Sequence, residues 1–324
     1  MSTASQCRIA LVQQAPVYLN LAATVERACE HIQQASDANC DVIVFPETWL
    51  PGYPIWLDTA PTAALWDHPP AKQLFRQMVE QSPSVNDAAI VALRSAAVEA
   101  GVFVVIGVQE REGGTLYNSM LFIDPAKGEY RVHRKLMPTY TERLVWGRGD
   151  GSTLDVNKTP FGNLGGLICW EHWMPLARAA LHARGEAIHV AQWPWAKEMH
   201  QVASRHYAFE GSCFVIASGA VVARQQLLDD ARDAATPGPA LELLAQMTAD
   251  DDDLLLRGGS AVVAPNGDYV VAPVYDNDAT LYADLDLGLI AEHRLALDTD
   301  GHYSRPDVFS LEVDTRPQRN VTFR

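Results

Sequence analysis

The sequence predicts a single α/β domain, on three observations. Short β-rich apolar runs alternate with helical patterns from end to end, antiparallel hairpins are inserted among them, and neither a composition shift nor a fixed-period repeat marks a boundary. Length alone would allow about two domains, but the unbroken alternation favours one.

The elements follow in order. Arg8–Gln13 (RIALVQ) reads as the first strand. Asn20 can cap a helix to about Ala38, because Leu21, Val25, Ala28, Ile32 and Ala35 recur at spacings of three and four and form one buried stripe. Asp41–Phe45 is a continuous apolar run typical of a strand covered on both faces, and it stops at Pro46. Ser84 precedes a helical pattern through Ala100, Gly101 closes it, and Val102–Gln109 is a strand. Leu116–Asp124 and Tyr130–Lys135 flank Pro125–Glu129 as a hairpin. Leu164–Cys169 is a strand followed by a helix to about Arg184, closed by Gly185. Ala187–Gln192 is a strand, Lys197–Glu210 a helix and Cys213–Ser218 a strand, and Ser260–Ala264 with Tyr269–Val274 make a second hairpin. Arg224–Gly259, with Pro237-Gly238-Pro239 and the run Asp250–Asp253, reads as a surface excursion carrying some helix over Ala240–Thr248.

Composition narrows the function classes. With 48% hydrophobic and 20% charged residues the chain is globular, and its formal charge of −15 argues against nucleic-acid or anionic-membrane partners. Five cysteines without a CxxC pair disfavour a disulfide framework or a cysteine zinc site. No secretory signal is visible at the N-terminus, and the longest apolar stretches, near Val102–Val108 and Cys213–Ala223, are too short to span a bilayer. The expectation is a soluble, cytoplasmic protein.

Three segments carry potential chemistry. Cys169 stands at the carboxyl end of a buried strand, immediately before a helix whose N-terminus would favour the thiolate; a nucleophile and a plain core cysteine are both open readings. Glu47 lies just past an apolar strand, where desolvation would raise its pKa and suit it to general-base work, unless it is a solvated loop glutamate. Lys135 ends a hairpin strand before a Pro-containing loop, placed either to stabilise developing negative charge or to solvate a sheet edge. His172 follows Cys169 too closely to serve as its base, and HExxH is absent, which disfavours zinc.

Taken together, the segments resemble the nitrilase branch of the carbon–nitrogen hydrolase superfamily. The resemblance runs through Phe45–Pro54, His133–Thr139, Glu142-Arg143 with Trp146–Gly151, Gly165–His172 and Gly301–Asp307, nearly the whole chain. It implies a four-layer α-β-β-α sandwich over 1–324, with a short C-terminal extension after about residue 310. It implies a Glu47–Lys135–Cys169 triad, with Glu142 as a supporting active-site glutamate. Trp170-Glu171 and Pro51-Gly52-Tyr53-Pro54 are similar to true nitrilases rather than amidases. The implied reaction converts a nitrile and water to the acid and ammonia through a thioimidate and thioester, without metal or organic cofactor. An amidase-type or cyanide-hydrolysing member is the alternative, followed by a silent filament-forming scaffold and a cysteine protease. Of the aromatic residues near the motifs, Tyr53, Trp170 and Trp193 are the candidate substrate contacts, packing in the core being the competing role. The resemblance further implies a homo-oligomer built from dimers, extending in some members to a spiral filament.

Overall fold

A computed structural model describes residues 5–249, 253–319 and 321. Of the acidic run, only Asp253 falls within them; Asp250, Asp251 and Asp252 lie outside the described residues.

Two mixed sheets of seven strands each lie face to face. The first holds β1 (Gln6–Val12), β2 (Val42–Val44), β3 (Phe103–Glu112), β4 (Thr115–Asp124), β5 (Glu129–Arg134) and β6 (Trp146–Gly147). The second holds β7 (Asn157–Thr159), β8 (Gly162–Ile168), β9 (Glu186–Gln192), β10 (Phe214–Ser218), β11 (Val221–Ala223), β12 (Leu254–Val263) and β13 (Tyr269–Tyr275). The last strand, β14 (Thr280–Asp286), returns to the first sheet and runs antiparallel to β1. Strands β1, β2 and β3 are mutually parallel, as are β8, β9 and β10.

Alternation along the strands explains the layering. Ile9, Leu11, Val42, Val44 and Val105 point inward and meet Ile168, Val190 and Ile216 of the second sheet. The intervening Ala10, Val12, Ile43, Val104 and Ile106 point outward onto helices. Both faces are therefore covered, as their continuous apolar runs require.

The outer helices are α1 (Leu21–Asp37), α2 (Trp56–Thr59), α3 (Pro69–Gln81) and α4 (Ala88–Ala100), of which α1 and α4 cover the first sheet. The Asn20 side chain accepts from the Ala23 N–H, and Val25, Ala28, Ile32 and Ala35 are the stripe that α1 buries. Such buried aliphatic side chains contribute about 1.5–3 kcal/mol each. Helix α4 starts one residue after Asp87, whose carboxylate takes Ser84 as donor, and ends at Gly101 with φ 70°. On the second sheet lie α5 (Pro175–His182) and α6 (Glu198–Gly211), whose Leu181, Tyr207 and Ala208 join the central core. The order is helix, sheet, sheet, helix: a four-layer α-β-β-α sandwich.

The segment expected to be a surface excursion differs. It forms α7 (Arg224–Asp233) and α8 (Gly238–Ala245), which lie against α3 and seal a separate apolar cluster from Leu74, Met78, Leu227, Leu243 and Leu244. After α9 (Gly288–Arg294), residues 300–319 run exposed and without regular structure.

Candidate active site

Glu47 follows β2 and Lys135 follows β5 in the first sheet, while Cys169 follows β8 in the second. Because β4 is antiparallel to both β3 and β5, the ends of β2 and β5 and the beginning of β4 reach one sheet edge. The three side chains meet across the seam between the sheets. This is the edge at which α/β sheets collect ligands.

Lys135 Nζ donates to Glu47 Oε1 at 2.9 Å and to Glu142 Oε2 and Oε1 at 2.7 and 3.0 Å. All three residues are almost fully buried. Glu142 is held from two further sides, by the Thr139 N–H at 2.6 Å and by the Tyr53 hydroxyl at 3.0 Å. Asn118 Nδ2 donates to Glu47 Oε1 at 2.6 Å, whereas Glu47 Oε2 has no protein partner. Ligand atoms of Glu47, Glu142 and Cys169 lie within 4.8 Å of one another. The Lys135 ammonium already sits on both carboxylates and supplies the positive charge there.

Burial sets the electrostatics. Burial, with Glu142 adding to it, raises the Glu47 pKa to about 7 against the pull of Lys135 and Asn118. For Lys135 burial opposes the charge, but Glu47 and Glu142 outweigh it and hold the amine firmly protonated. The Cys169 thiol is pushed well above its ordinary value by burial and then by Glu47, with Lys135 and the Trp170 N–H acting against them. This corrects the expectation of a thiolate stabilised by a helix N-terminus. Cys169 opens a short 3-10 turn, Cys169–Trp173, and α5 begins only at Pro175. The resting sulfur is a thiol, and it needs a base.

Local backbone is bent to reach this arrangement. Cys169 has φ 52°, Thr48 beside Glu47 has φ 42° and Tyr140, two residues before Glu142, has φ 46°. Left-handed conformations at non-glycine residues cost about 1–3 kcal/mol each and concentrate at functional sites. Gly107 allows the Glu47 loop to lie flat on β3: a Cβ there would stand 2.2 Å from the Pro46 carbonyl and 2.3 Å from the Thr48 nitrogen.

Two buried polar clusters, whose support of the backbone the sequence did not show, hold these bends. Glu171 accepts from the Ile168 N–H at 2.6 Å and the Leu136 N–H at 2.8 Å, and pairs with His133 Nε2 at 3.0 Å. One carboxylate thus ties the residue before Cys169 to the residue after Lys135. Behind it, His172 Nδ1 lies 2.7 Å from the Cys169 carbonyl, an acceptor only, so Nδ1 carries the proton. His172 Nε2 then meets His189 Nε2 at 3.0 Å, and His189 Nδ1 meets Glu186 at 2.9 Å. Burial, followed by His189, lowers the His172 pKa to about 3, and burial raises that of Glu186 to about 7. His172 therefore fixes backbone rather than moving protons for Cys169. Sequence signals existed for some of this: Thr139-x-x-Glu142 is a capping-box pattern, and Glu171 reaches back three residues to an N–H in the same manner.

A cavity of about 530 Å³ opens onto Cys169 and Glu142, walled by Tyr53, Trp170, Trp195 and Leu255. Tyr53 and Trp170 therefore face this space. Trp193 does not line it: the ring is fully buried and stacked on His200 at 4.4 Å, while its carbonyl accepts from the Glu47 N–H at 3.4 Å.

Comparison with known proteins identifies the family. The carbon-nitrogen hydrolase family profile matches residues 8–295. The chain is 38% identical to an aliphatic nitrilase of Sinorhizobium fredii over 98% of each chain. It is 36% identical to the bifunctional nitrilase/nitrile hydratase NIT4A of Lupinus angustifolius, over 98% of this chain and 88% of that one. In fold it is similar to the carbon–nitrogen hydrolase superfamily protein XC1258 of Xanthomonas campestris, with a TM-score of 0.66, 16% identity, and coverage of 95% and 99% of the two chains.

Proposed function

The chain belongs to the carbon–nitrogen hydrolase family, and from that premise we propose that it is a nitrilase, converting an organic nitrile to the carboxylic acid and ammonia. The observation that carries this reading is the buried Lys135 ammonium, bound to both Glu47 and Glu142 beside the thiol of Cys169.

In this reaction Glu47 takes the Cys169 proton and the sulfur attacks the nitrile carbon. Lys135 donates a hydrogen bond to the nitrogen as negative charge develops, and the proton returns there, so the thiol has added across the C≡N bond to give a thioimidate. Glu47 next removes a proton from water, which adds to the C=N carbon. The tetrahedral species expels ammonia and leaves a thioester. A second water, activated in the same way, releases the acid and restores the thiol. Glu142 fixes the Lys135 ammonium, and Tyr53 fixes Glu142. Tyr53 and Trp170 contact the organic group; Trp193 acts from behind through the Glu47 loop. No metal or organic cofactor enters the sequence of steps.

A panel of aliphatic, aromatic and arylacetonitriles tests the proposal, with ammonia, acid and amide measured for each nitrile and its amide. Acid and ammonia from a nitrile are expected. Hydrolysis of amides with no nitrile turnover would replace the reading by an amidase, and turnover confined to cyanide by a cyanide hydrolase. The relative named as bifunctional nitrilase/nitrile hydratase gives the amide measurement its purpose.

We further propose a single domain over 1–324 with a short C-terminal extension after about residue 310, supported by the core shared between both sheets. A cytoplasmic location is supported by five unpaired cysteines. Among the described residues no helix is long and apolar enough to cross a membrane. A homo-oligomer with a dimer as building block, extending to a spiral filament, is supported by exposed apolar side chains on α5 and α6, among them Leu176, Met199, Val202 and Phe209.

A further inference from the structure

Two separate cavities reach the site, and they divide its residues. The wide cavity is lined by Cys169 and Glu142 but not by Glu47. A second, narrow cavity of about 20 Å³ is lined by Glu47 but by neither Cys169 nor Glu142. Tyr53, Ile55, Pro194 and Leu256 form the partition common to both. Its walls are apolar, from Ala15, Tyr18, Ala220, Val222 and Leu227, and the half-buried Gln226 and Asp230 of α7 stand on its lining. The volume suits about one or two water molecules and excludes an organic nitrile.

Glu47 supplies the reason for water to come. Oε1 is saturated by Lys135 and Asn118, while Oε2 is buried and has no donor in the protein. A buried carboxylate oxygen without a donor is costly, and a water molecule is the small donor the narrow cavity admits. Apolar walls between Gln226 and Asp230 at one side and Glu47 at the other hold water weakly and let it pass to the carboxylate.

We propose that the narrow cavity is the route by which hydrolytic water reaches Glu47 while the acyl group fills the wide cavity, an inference that rests on the nitrilase reading. Each nitrile consumes two waters. The first adds to the thioimidate carbon and ammonia leaves; the second adds to the thioester carbon, the C–S bond breaks, and its two hydrogens end on the released acid and on the Cys169 sulfur. Both steps occur with the substrate's own organic group held in the wide cavity beside Cys169, so water entering from that side must pass it. A separate inlet on the Glu47 side removes the conflict.

Filling the inlet tests the idea. Val222→Phe blocks it without touching the lining of the wide cavity, and Ala15→Val is the milder variant if the first does not fold. Turnover of the wild type comes first: a wild-type chain that releases no ammonia from any nitrile removes the nitrilase reading itself. With that turnover in hand, the filled variants should lose about tenfold in kcat, while a covalent adduct, thioimidate or acyl group, accumulates on Cys169 in quenched samples. A folded variant with kcat and KM both unaltered overturns the route. So does one in which KM rises at constant kcat, since the cavity would then be holding substrate.

Discussion

Glu47 must be ionised to act as a base, yet it sits in a place that resists ionisation. Burial and the neighbouring Glu142 raise it to about 7, and only Lys135 and Asn118 restrain the shift. Protonation below that value removes the base, so kcat/KM should rise with pH through a limb centred near 7. A midpoint near the ordinary carboxylate value of about 4.3 would refute Glu47 as the group that titrates. Glu47 and Cys169 were legible as candidates because each stands just past an apolar strand, whereas Lys135 follows the polar strand Glu129–Arg134 and stood out only as a lysine before a Pro-containing loop; the resemblance was needed to join the three. Asn118 was not, because a single polar residue inside a strand carries no mark of what it faces. Trp193 illustrates the opposite limit: its place beside Pro194 and Trp195, which do line the wide cavity, hides the fact that its own ring points into the core.

Among the elements, the Glu171–His133 pair is the clamp that couples the two catalytic strands. Burial opposes the charge on Glu171, but His133 together with the Leu136 and Ile168 N–H groups outweighs it, so its pKa falls; for His133 burial opposes, and Glu171 with the Thr153 carbonyl outweighs it, so its pKa rises. The lowered carboxylate contributes stability above its unfolded value and loses it as pH falls through the folded one. The raised histidine contributes below its unfolded value and loses it as pH rises through the folded one. Both contributions are complete only between about pH 4.3 and 6.5. Glu171→Gln should therefore cost about 3–5 kcal/mol in urea unfolding near pH 6, and less at pH 9. Equal losses at both pH values would show that the pair does not act as a charged clamp. Helices α3 and α7 were illegible for different reasons. Pro69-Pro70 suggests a break but fills the first helical positions, where a missing N–H is harmless. Segment 224–233 is mostly polar, and its buried face is only Leu227, Leu228 and Ala231.

For the whole molecule, continuous apolar runs declared both faces of the central strands buried but could not say which layer covered which. That order came from the resemblance, and the core contacts reproduce it. The outer helices also leave work undone: Leu176 is 67% exposed and Phe209 49%. If α5 and α6 meet a second copy, light scattering of the wild type should give at least twice the mass of one chain, and Leu176→Asp with Val202→Asp should reduce it toward a single chain. A wild type already at single-chain mass would contradict the proposed dimer.

The central claim is that Cys169 carries the substrate covalently while Glu47 brings water to it. Glu47→Gln keeps the shape of the side chain but removes the base, so a nitrile should leave an adduct that forms slowly and persists. Intact-mass and peptide-mapping spectrometry of that variant, quenched after exposure to a nitrile the wild type hydrolyses, measures this directly. The expected result is a mass increase equal to one nitrile, located on Cys169 and absent when Cys169→Ala is added. An adduct on another residue, or acid and ammonia still released by the Cys169→Ala protein, would contradict it.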